Sequence, residues 1–439
     1  MNYDKETFNK LLDENKRLKI ENESMKKILS SKRFMMAEKV ANSYNALFPE
    51  GTGRRKFAKI CAKPAVKLME RKSRKLTKKI NRVCRDKKRI IVLHSIVWNA
   101  PLKQRPHHLA KCLAQQDKET MLIYFEPDEQ LKKFRRISDN LVTVNSWEAI
   151  LNLKTLDGQK KYFFFNNVSN IPFELIERIN NLGYRIVYEY IDEFHEDVSG
   201  SLVNQLETWE KLPKIKPYLV LASAIKLYDE ARKHFDDGKV ILSKNAVNVE
   251  DFDYRIHSNG AVPDDLEKII KNKKPVLGYY GALAHWLDYD LISDVARKNK
   301  DLNVVLLGVN YQNALSKLDQ GIENIYYLGP KKYEELSDYS AHFDCAMIPF
   351  KTGQIAKGTS PVKLFEYMAM GLPTVGTKDL NECKGYDYVY LAKDKDDFNK
   401  LVKKAIEEHK KDTVKERLLA QAEENSWQNR AEEIIRNLD

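Results

Sequence analysis

Residues 358–377, GTSPVKLFEYMAMGLPTVGT, bring together residue types that can bind a phosphate group. Ser360 is a good N-cap and Pro361 suits the first helical position, so the stretch predicts a helix over about residues 361–370. Lys363 then lies in the first turn, where its charge opposes the helix dipole. A bound anion would reverse that penalty, because the free N–H groups at a helix N-terminus attract phosphate. The stretch therefore indicates a binding site for a diphosphate.

The residues around Lys363 extend this candidate site. Four residues in front of the predicted helix are small, cationic or hydroxyl-bearing, as a diphosphate cradle requires: Lys357, Gly358, Thr359 and Ser360. Glu366 follows Lys363 by three residues on the same face, and its carboxylate can accept hydrogen bonds from two ribose hydroxyls. The alternative is an ordinary surface ion pair between Lys363 and Glu366, worth about 0.2–0.5 kcal/mol. The spacing alone leaves both interpretations open.

The elements that must position this stretch alternate between apolar strands and amphipathic helices. The alternation runs over residues 89–260, is interrupted by a charged connector at 261–274, and restarts over 275–425 before a last helix at 426–439. Such alternation predicts parallel sheets covered by helices on both faces. We therefore predict an α/β fold of two doubly wound, Rossmann-like domains that face a cleft. Ligands of such domains lie beyond the carboxyl ends of the strands.

The N-terminal arm has a different composition from the rest of the chain. Residues 1–89 contain 27 Lys and Arg against 10 Asp and Glu, whereas the remainder has 48 against 53, so the positive charge belongs to the arm. Residues 1–30 predict a helix, and residues 8–29 repeat apolar positions every seven residues. This pattern predicts a homodimeric coiled coil, or alternatively an amphipathic helix that packs on its own chain.

Residues 31–88 form a basic arm with amphipathic spacing. Residues 51–89 hold 17 basic and two acidic residues, with apolar residues at spacings of three and four. This pattern predicts binding to an anionic membrane surface, with a nucleic-acid contact and a solvated linker as alternatives. Because aromatic residues are nearly absent there, stacking on single-stranded bases is disfavoured and we expect no nucleic-acid partner.

The remaining bulk features bear on location. No apolar run reaches about 18 residues, and the first residues lack the apolar region of a secretory signal. The five cysteines are scattered without metal-ligand spacing, which fits a reduced compartment: Cys61, Cys84, Cys112, Cys345 and Cys383. We expect a cytoplasmic protein that associates peripherally with the inner face of the cell membrane.

Several stretches, in order along the chain, resemble GT-B fold glycosyltransferases near the family-4 and family-1 bacterial polysaccharide enzymes. SPVKLFEYMAMGLPTV resembles their donor-site motif, and this resemblance extends over about residues 89–439. The supporting stretches are WNAPLKQRPHHLA at 98–110, YEYIDEF at 188–194, NAVNVEDF at 245–252, LGYYGALAHWLDYDLI at 277–292 and NIYYLGPKKYEELSDYSAHFDCAMIPF at 324–350. Ala246 departs from the usual glycine of its segment.

The resemblance implies a nucleotide-sugar donor in the second domain and a saccharide acceptor in the first. It implies that Glu366 binds ribose, that Lys363, Thr359 and Ser360 bind the diphosphate, and that Gly281 lets the backbone approach the donor. Many family-4 members carry a second glutamate eight residues before the ribose-binding one, and this sequence has Gly358 there. That departure puts the donor-sugar contacts and the stereochemical outcome in question.

On the acceptor side, carboxylates follow the predicted strand YRIVYEYI. For an inverting reaction a general base must reach the acceptor hydroxyl, and we rank Asp192 first, His195 second and Glu193 third. The alternative is that these carboxylates cap the following helix. Three further residues are candidates for acceptor contacts: Arg105, His107 and His108.

These observations predict a glycosyltransferase that moves a sugar from a nucleotide-diphosphate sugar to a cell-envelope polysaccharide or a lipid-linked saccharide. No Asp-x-Asp motif lies between strands, and DYD at 288–290 opens a predicted helix, so we expect no metal site and no cofactor. Two alternatives remain open, a GT-B nucleotide-sugar epimerase and a non-catalytic nucleotide-binding assembly subunit.

Overall fold

The computed structural model describes residues 74–438 with the exception of 101–102, 127–133, 170, 195–201, 259 and 320. The predicted heptad and residues 31–73 of the basic arm lie outside the described residues. His195, the second candidate for the general base, lies outside them as well.

The first domain is built on an eight-stranded sheet in the order β3-β4-β2-β1-β5-β6-β7-β8. All neighbouring strands are parallel except β3 and β4. The central strands are continuous apolar runs, because a parallel sheet is covered on both faces. The strands are β1 (Arg89–His94), β2 (Thr120–Phe125), β3 (Phe134–Ser138), β4 (Leu141–Val144), β5 (Lys160–Asn166), β6 (Arg185–Tyr190), β7 (Leu219–Ala222) and β8 (Val240–Leu242).

Helices cover both faces of this sheet. The first of them, α1, comprises residues 74–84, and its Ile80 and Cys84 are buried in the core beneath the sheet. The others are α2 (Arg105–Gln116), α3 (Trp147–Leu151), α4 (Phe173–Asn181), α5 (Leu202–Lys211) and α6 (Ile225–His234), with 3₁₀ turns at Leu212–Ile215 and Asp237–Lys239.

The second domain is built on a six-stranded, wholly parallel sheet in the order β11-β10-β9-β12-β13-β14. Its central strands are fully buried, as in the first sheet. The strands are β9 (Val276–Tyr280), β10 (Asn303–Leu307), β11 (Ile325–Tyr327), β12 (Cys345–Ile348), β13 (Thr374–Thr377) and β14 (Val389–Ala392).

The helices that follow the first sheet connect and cover the second. They are α7 (Val249–Phe252), α8 (Tyr254–His257), α9 (Asp264–Ile270), α10 (Tyr289–Lys298), α11 (Leu336–Ser340), α12 (Gln354–Gly358), α13 (Val362–Ala369), α14 (Lys395–His409), α15 (Asp412–Glu424) and α16 (Trp427–Leu438). Short 3₁₀ turns lie at Tyr311–Lys317, Tyr333–Glu335 and Asn381–Cys383.

The chain passes between the two domains twice, and the two passages pair with each other. The N–H of Val247 donates to the carbonyl of Asn425 at 3.1 Å, and the N–H of Trp427 donates to the carbonyl of Val247 at 2.9 Å. Helix α16 then returns to the first domain, where the hydroxyl of Tyr162 donates to the carbonyl of Leu438 at 2.5 Å. The C-terminal helix therefore belongs to the packing of the first domain.

The structure confirms the predicted α/β architecture of two doubly wound parallel sheets. One expectation about the arm needs correction for residues 74–84. Their apolar positions do not face outward, because Leu76 and Val83 pack against the same core as Ile80 and Cys84. Only the basic face of this helix is exposed. No helix among the described residues is both long and apolar enough to cross a bilayer.

Candidate functional site

Helix α13 lies where the sequence predicts the phosphate-binding helix, and it begins one residue later than expected. Pro361 is the N-cap, so Lys363 is the second helical residue rather than the third. The helix ends at Ala369, Met370 is its C-cap, and Gly371 follows with a left-handed φ of 67°. The hydroxyl of Tyr367 accepts a hydrogen bond from the N–H of Tyr280 at 3.0 Å, which docks α13 against the end of β9.

Lys363 points from the first turn of α13 towards the ends of the central strands. Its Nζ lies 5.4 Å from the ring centroids of both Tyr279 and Phe350. Among the described residues it has no hydrogen bond or ion pair. Burial lowers its pKa, and the nearby charge of Glu366 opposes this. A half-buried ammonium held over aromatic faces is a cation ready to receive an anionic ligand.

Two glycines at the strand ends make room beside this ammonium. Gly281 follows β9 with φ of 135°, and a Cβ there would lie 2.9 Å from Cε of Lys363. Gly308 follows β10 with φ of 138°, and a Cβ there would lie 2.7 Å from the carbonyl carbon of Gly281. Both positions therefore require glycine for conformation and for space. The backbone of the two strands converges where a ligand of a parallel sheet binds.

Glu366 lies one turn below Lys363 and is 6% exposed. Burial raises its pKa to about 7, while Tyr280 and Lys363 favour the charged form and Asp251 disfavours it. Glu366 and Lys363 do not form an ion pair, so the ordinary surface pair considered as the alternative is absent. Tyr280 lies beside the carboxylate, but its hydroxyl has no hydrogen-bond partner of good geometry among the described residues. The carboxylate and this hydroxyl are thus available to a ligand.

The loop before α13 already uses part of its hydrogen-bonding capacity within the chain. The buried Ser360 accepts a hydrogen bond from the N–H of Asn245 at 3.3 Å on Oγ, and its carbonyl accepts from Asn245 Nδ2 at 2.6 Å. The hydroxyl of Thr359 donates to the carbonyl of Ile355 at 2.5 Å. Lys357 is exposed. The predicted diphosphate residues are therefore brought together, with Lys363 rather than the hydroxyls as the free donor.

Asp192 follows β6 in the first domain, as predicted. Its backbone is fixed by Asn167, whose Nδ2 donates to the carbonyl of Asp192 at 2.7 Å and whose Oδ1 accepts from its N–H at 3.3 Å. Burial raises the pKa of the Asp192 carboxyl to about 6. No hydrogen bond or ion pair holds this carboxylate among the described residues. It can therefore accept a proton near neutral pH.

Glu193, the next residue, reaches towards the second domain. Its carboxylate forms an ion pair with Lys226 at the start of α6. The same side chain lies against Gly358, where a Cβ would be 2.6 Å from Cγ of Glu193. The structure therefore places this acceptor-side residue on the loop in front of the donor helix.

Arg105 and His107 are committed to the first domain itself. Arg105 is buried, and its Nε donates to Glu189 at 2.9 Å while Nη1 donates to the carbonyl of Ser243 at 2.9 Å. His107 accepts from the N–H of Gln104 and bonds the carbonyl of Val97 at 3.0 Å. Neither residue therefore has a free hydrogen-bond donor for a saccharide acceptor. We assign both residues to the support of α2 and of the loop after β8.

His108 lies between the two domains. Its ring stacks on Trp427 at 5.6 Å and lies 5.1 Å from the ring of Tyr333. Burial lowers its pKa to about 3, and its Nε2 has no partner among the described residues. It borders a cavity of about 190 Å³ that Lys103, Asp251 and Tyr333 also line. His108 is thus a neutral ring between the domains.

A second buried carboxylate joins the domains and was not predicted. Glu382, after β13, is 1% exposed and accepts a hydrogen bond from the N–H of Ile225 at 2.6 Å. It also forms an ion pair with Lys244 at 2.9 Å. Glu382 lies in the short 3₁₀ turn Asn381–Cys383 and carries no sequence signal, because both of its partners lie more than one hundred residues away.

The sequence also missed the ring hydroxyls around Glu366. Tyr280 ends β9 directly before Gly281, and that position at a strand end is the one signal that could have identified it. Tyr333 carries no such signal. Within the part of the chain that the structure describes, no group of three or more His, Cys, Asp or Glu side chains is arranged to hold a metal ion. The expectation of no metal stays a prediction.

The second domain of the chain is similar to a known protein family. Residues 274–408, which contain Gly281, Lys363 and Glu366, match the family described as Glycosyl transferases group 1. A Bacillus subtilis (strain 168) protein named as the teichuronic acid biosynthesis glycosyltransferase TuaH is 24% identical over 388 residues, covering 76% of this chain and 94% of the relative.

Solved structures match both domains together. Sucrose-phosphate synthase from Thermosynechococcus elongatus has a TM-score of 0.59 at 11% identity, covering 79% of this chain and 98% of its own. The α,α-trehalose 6-phosphate synthase from Burkholderia multivorans has a TM-score of 0.58 at 10% identity, with coverages of 80% and 96%. An E. coli structure described as trehalose-6-phosphate bound with UDP-2-fluoro glucose has a TM-score of 0.57 at 12% identity, with coverages of 80% and 98%. The likeness confirms the predicted GT-B fold.

Proposed function

We propose a reaction for this chain, which is a GT-B glycosyltransferase with a group 1 donor domain. It transfers a sugar from a nucleoside-diphosphate sugar to a saccharide acceptor of a cell-envelope polysaccharide, free or lipid-linked. The observation that carries this proposal is Lys363, a half-buried ammonium without an ion-pair partner among the described residues, with the buried Glu366 one turn below it.

The donor helix suits a nucleotide diphosphate. The ammonium of Lys363 and the free N–H groups of the first turn of α13 face the diphosphate, where the helix dipole also favours negative charge. The carboxylate of Glu366 accepts the two ribose hydroxyls. Gly281 leaves room for the side chain of Lys363, and Gly308 leaves room for the backbone of Gly281 at the ends of β9 and β10. Lys363, Glu366 and the first turn of α13 thus bind the part of the donor that becomes the leaving group.

The chemical step separates the sugar carbon from the diphosphate oxygen. Positive charge develops on the sugar ring and negative charge on the diphosphate, so donors fixed in advance stabilise the transition state. Asp192 accepts the proton of the attacking acceptor hydroxyl, because its pKa of about 6 leaves it mostly ionised at neutral pH. Direct attack with a base on the acceptor side corresponds to inversion at the sugar carbon. We propose that no divalent metal or other cofactor takes part.

The relatives support this choice of substrates. The Bacillus subtilis relative is named for teichuronic acid biosynthesis, which is the reason for proposing a polysaccharide acceptor. The E. coli structural neighbour is described as bound with UDP-2-fluoro glucose, which makes UDP the first nucleotide to test.

We further propose that the protein acts at the cytoplasmic face of the cell membrane. Residues 51–73 and the exposed face of α1 carry the basic residues of the arm, and each Lys or Arg near an anionic surface contributes about 1 kcal/mol. A pair of chains joined through residues 8–29 would double that contribution. The site itself requires neither feature.

The test is product analysis with defined donors. UDP-, GDP- and dTDP-sugars are first screened by thermal shift, since a bound donor stabilises the folded chain by mass action. The stabilising donor is then incubated with and without a saccharide acceptor, in EDTA, and the product is examined by NMR. We expect an acceptor-dependent glycoside of inverted configuration. An epimerised sugar formed from the donor alone would replace this function by a nucleotide-sugar epimerase.

Asp192→Asn separates binding from chemistry in the same assay. Transfer should fall by about 10²–10⁴-fold while donor affinity is kept, because the amide cannot accept the proton. Asp229→Asn is the matched control, since it removes an exposed carboxylate from α6 of the same domain. Wild-type transfer by Asp192→Asn would remove Asp192 from the mechanism.

A further inference from the structure

Glu193 occupies the space beside Gly358, the last residue of α12 in the opposite domain. It follows β6 in the first domain, its side chain is 13% exposed, and its Oε1 pairs with Lys226. A Cβ built on Gly358 of the second domain would lie 2.6 Å from its Cγ, 2.7 Å from its Cδ, and closer still to Oε1. Any side chain at position 358 would therefore displace Glu193.

Gly358 is a glycine for reasons of space alone. Its φ is not in the left-handed region, so its backbone conformation is open to other residues. Gly358 is the last residue of α12, and its neighbours Lys357 and Thr359 carry full side chains. The position excludes a Cβ because Glu193 lies there. Glu193 of the first domain and Gly358 of the second domain thus form a single close contact between the domains.

A carboxylate in front of a helix that binds an anion needs a physical reason. Uncompensated, it would repel the diphosphate. Lys226 neutralises it through Oε1, while Oε2 has no bond among the described residues. A carboxylate oxygen accepts hydrogen bonds and donates none, and sugar hydroxyls are the donors that a nucleotide-sugar site supplies.

We propose that Glu193 binds a hydroxyl of the donor sugar, so that the acceptor domain selects the sugar held on the donor domain. This inference rests on the proposed function. It also makes sugar selection depend on contact between the two domains, because the Glu193 carboxylate and the end of α12 that it covers belong to different domains.

The first test compares two ligands by calorimetry, UDP-glucose and UDP, or the corresponding GDP or dTDP pair if the donor screen selects that base. For Glu193→Ala we expect the Kd of the nucleotide sugar to rise by about ten-fold or more, the effect of one hydrogen bond to a charged group. The Kd of the nucleoside diphosphate should change by less than about two-fold. If Glu193 only holds the domains together, both ligands weaken equally, and the inference is overturned.

The second test moves the carboxylate to the other domain. Gly358→Glu alone should weaken nucleotide-sugar binding, because its side chain collides with Glu193. Combining it with Glu193→Ala should recover at least part of the lost affinity for the nucleotide sugar. A double variant as weak as Glu193→Ala, with an unchanged unfolding midpoint, contradicts the proposal.

Two controls separate this inference from the proposed function. Glu174→Ala removes a carboxylate that is 74% exposed in the same domain and should leave both affinities unchanged. If the wild-type chain binds no nucleotide sugar, the proposed function fails. If it binds and transfers while Glu193→Ala behaves like wild type, only the role of Glu193 fails.

Discussion

At the scale of residues, the candidate site depends on groups whose charge is costly where they lie. Glu366 is buried with a pKa near 7, and Lys363 is partly desolvated with a lowered pKa. Neither is neutralised by an ion pair within the described residues. Groups perturbed in this way cluster at functional sites, because a ligand supplies the missing partner. The donor diphosphate and ribose are those partners in our account.

Glu366 makes nucleotide binding depend on pH. Ribose hydroxyls donate to the ionised carboxylate, so affinity for the nucleoside diphosphate should rise as pH increases from about 6 to 8 and then level off. Glu366→Gln should bind more weakly and lose this dependence. Calorimetric titrations across that pH range measure it, and an unchanged pH profile in the variant would contradict the role of Glu366.

The same shift has an opposite effect on the folded chain without ligand. The pKa of Glu366 is raised from its ordinary value of 4.5 to about 7, so the folded state binds more protons between these values. Its contribution to stability is therefore full below about pH 4.5 and is lost as pH rises through about 7. Ligand binding and unliganded stability thus change in opposite directions over this range.

The sequence predicted Lys363 and Glu366 but not their surroundings. Cap residues, helix length and spacing along nine residues identify a helix N-terminus with an unusual cation, and these are local properties. Lys226 comes from α6, more than one hundred residues before the donor helix, and only the folded chain brings it to Glu193 beside Gly358. Arg105 shows the converse error, since a conspicuous arginine proved to be a buried support.

At the scale of elements, apolar runs predicted the strands well because both sheets are buried on both faces. The start of α13 was one residue early, because Pro361 serves as the N-cap in place of Ser360. Helix α1 was assigned to the arm since its charge matches the arm, yet its apolar residues complete the core of the first domain. Charge composition reports the exposed face of a helix and not what its other face contacts.

This packing determines where the arm can be cut. Deletion of residues 1–73 keeps Ile80 and Cys84 in the core, whereas a cut at residue 88 would remove both. The shorter deletion removes the eight basic residues between 51 and 73 but keeps the basic face of α1, so it should weaken binding to anionic vesicles at low salt while keeping donor binding. Vesicle co-sedimentation measures this. Equal binding by the full chain and the deletion would refute the membrane role of the arm.

At the scale of the whole molecule, two sheets face each other across a cleft that specific contacts hold. The two chain passages pair at Val247, and Glu382 from the second domain fixes the start of α6 in the first. The predicted GT-B fold is confirmed by the solved structures, and the glycosyltransferase prediction agrees with the family match over residues 274–408 and with the Bacillus subtilis relative. The contacts between the domains could not be predicted from the sequence, because they join residues that no local pattern relates.

In the proposed function, α13 holds the diphosphate of a nucleotide sugar through Lys363. Calorimetric titration of UDP, GDP and dTDP against the wild-type chain and Lys363→Met tests it directly, with Lys411→Met as an exposed control. A hydrogen bond to a charged group is worth about 1.5–3 kcal/mol, so Lys363→Met should bind at least about ten-fold more weakly than wild type and the control. Equal affinity of wild type and Lys363→Met for the same nucleotide would contradict the account.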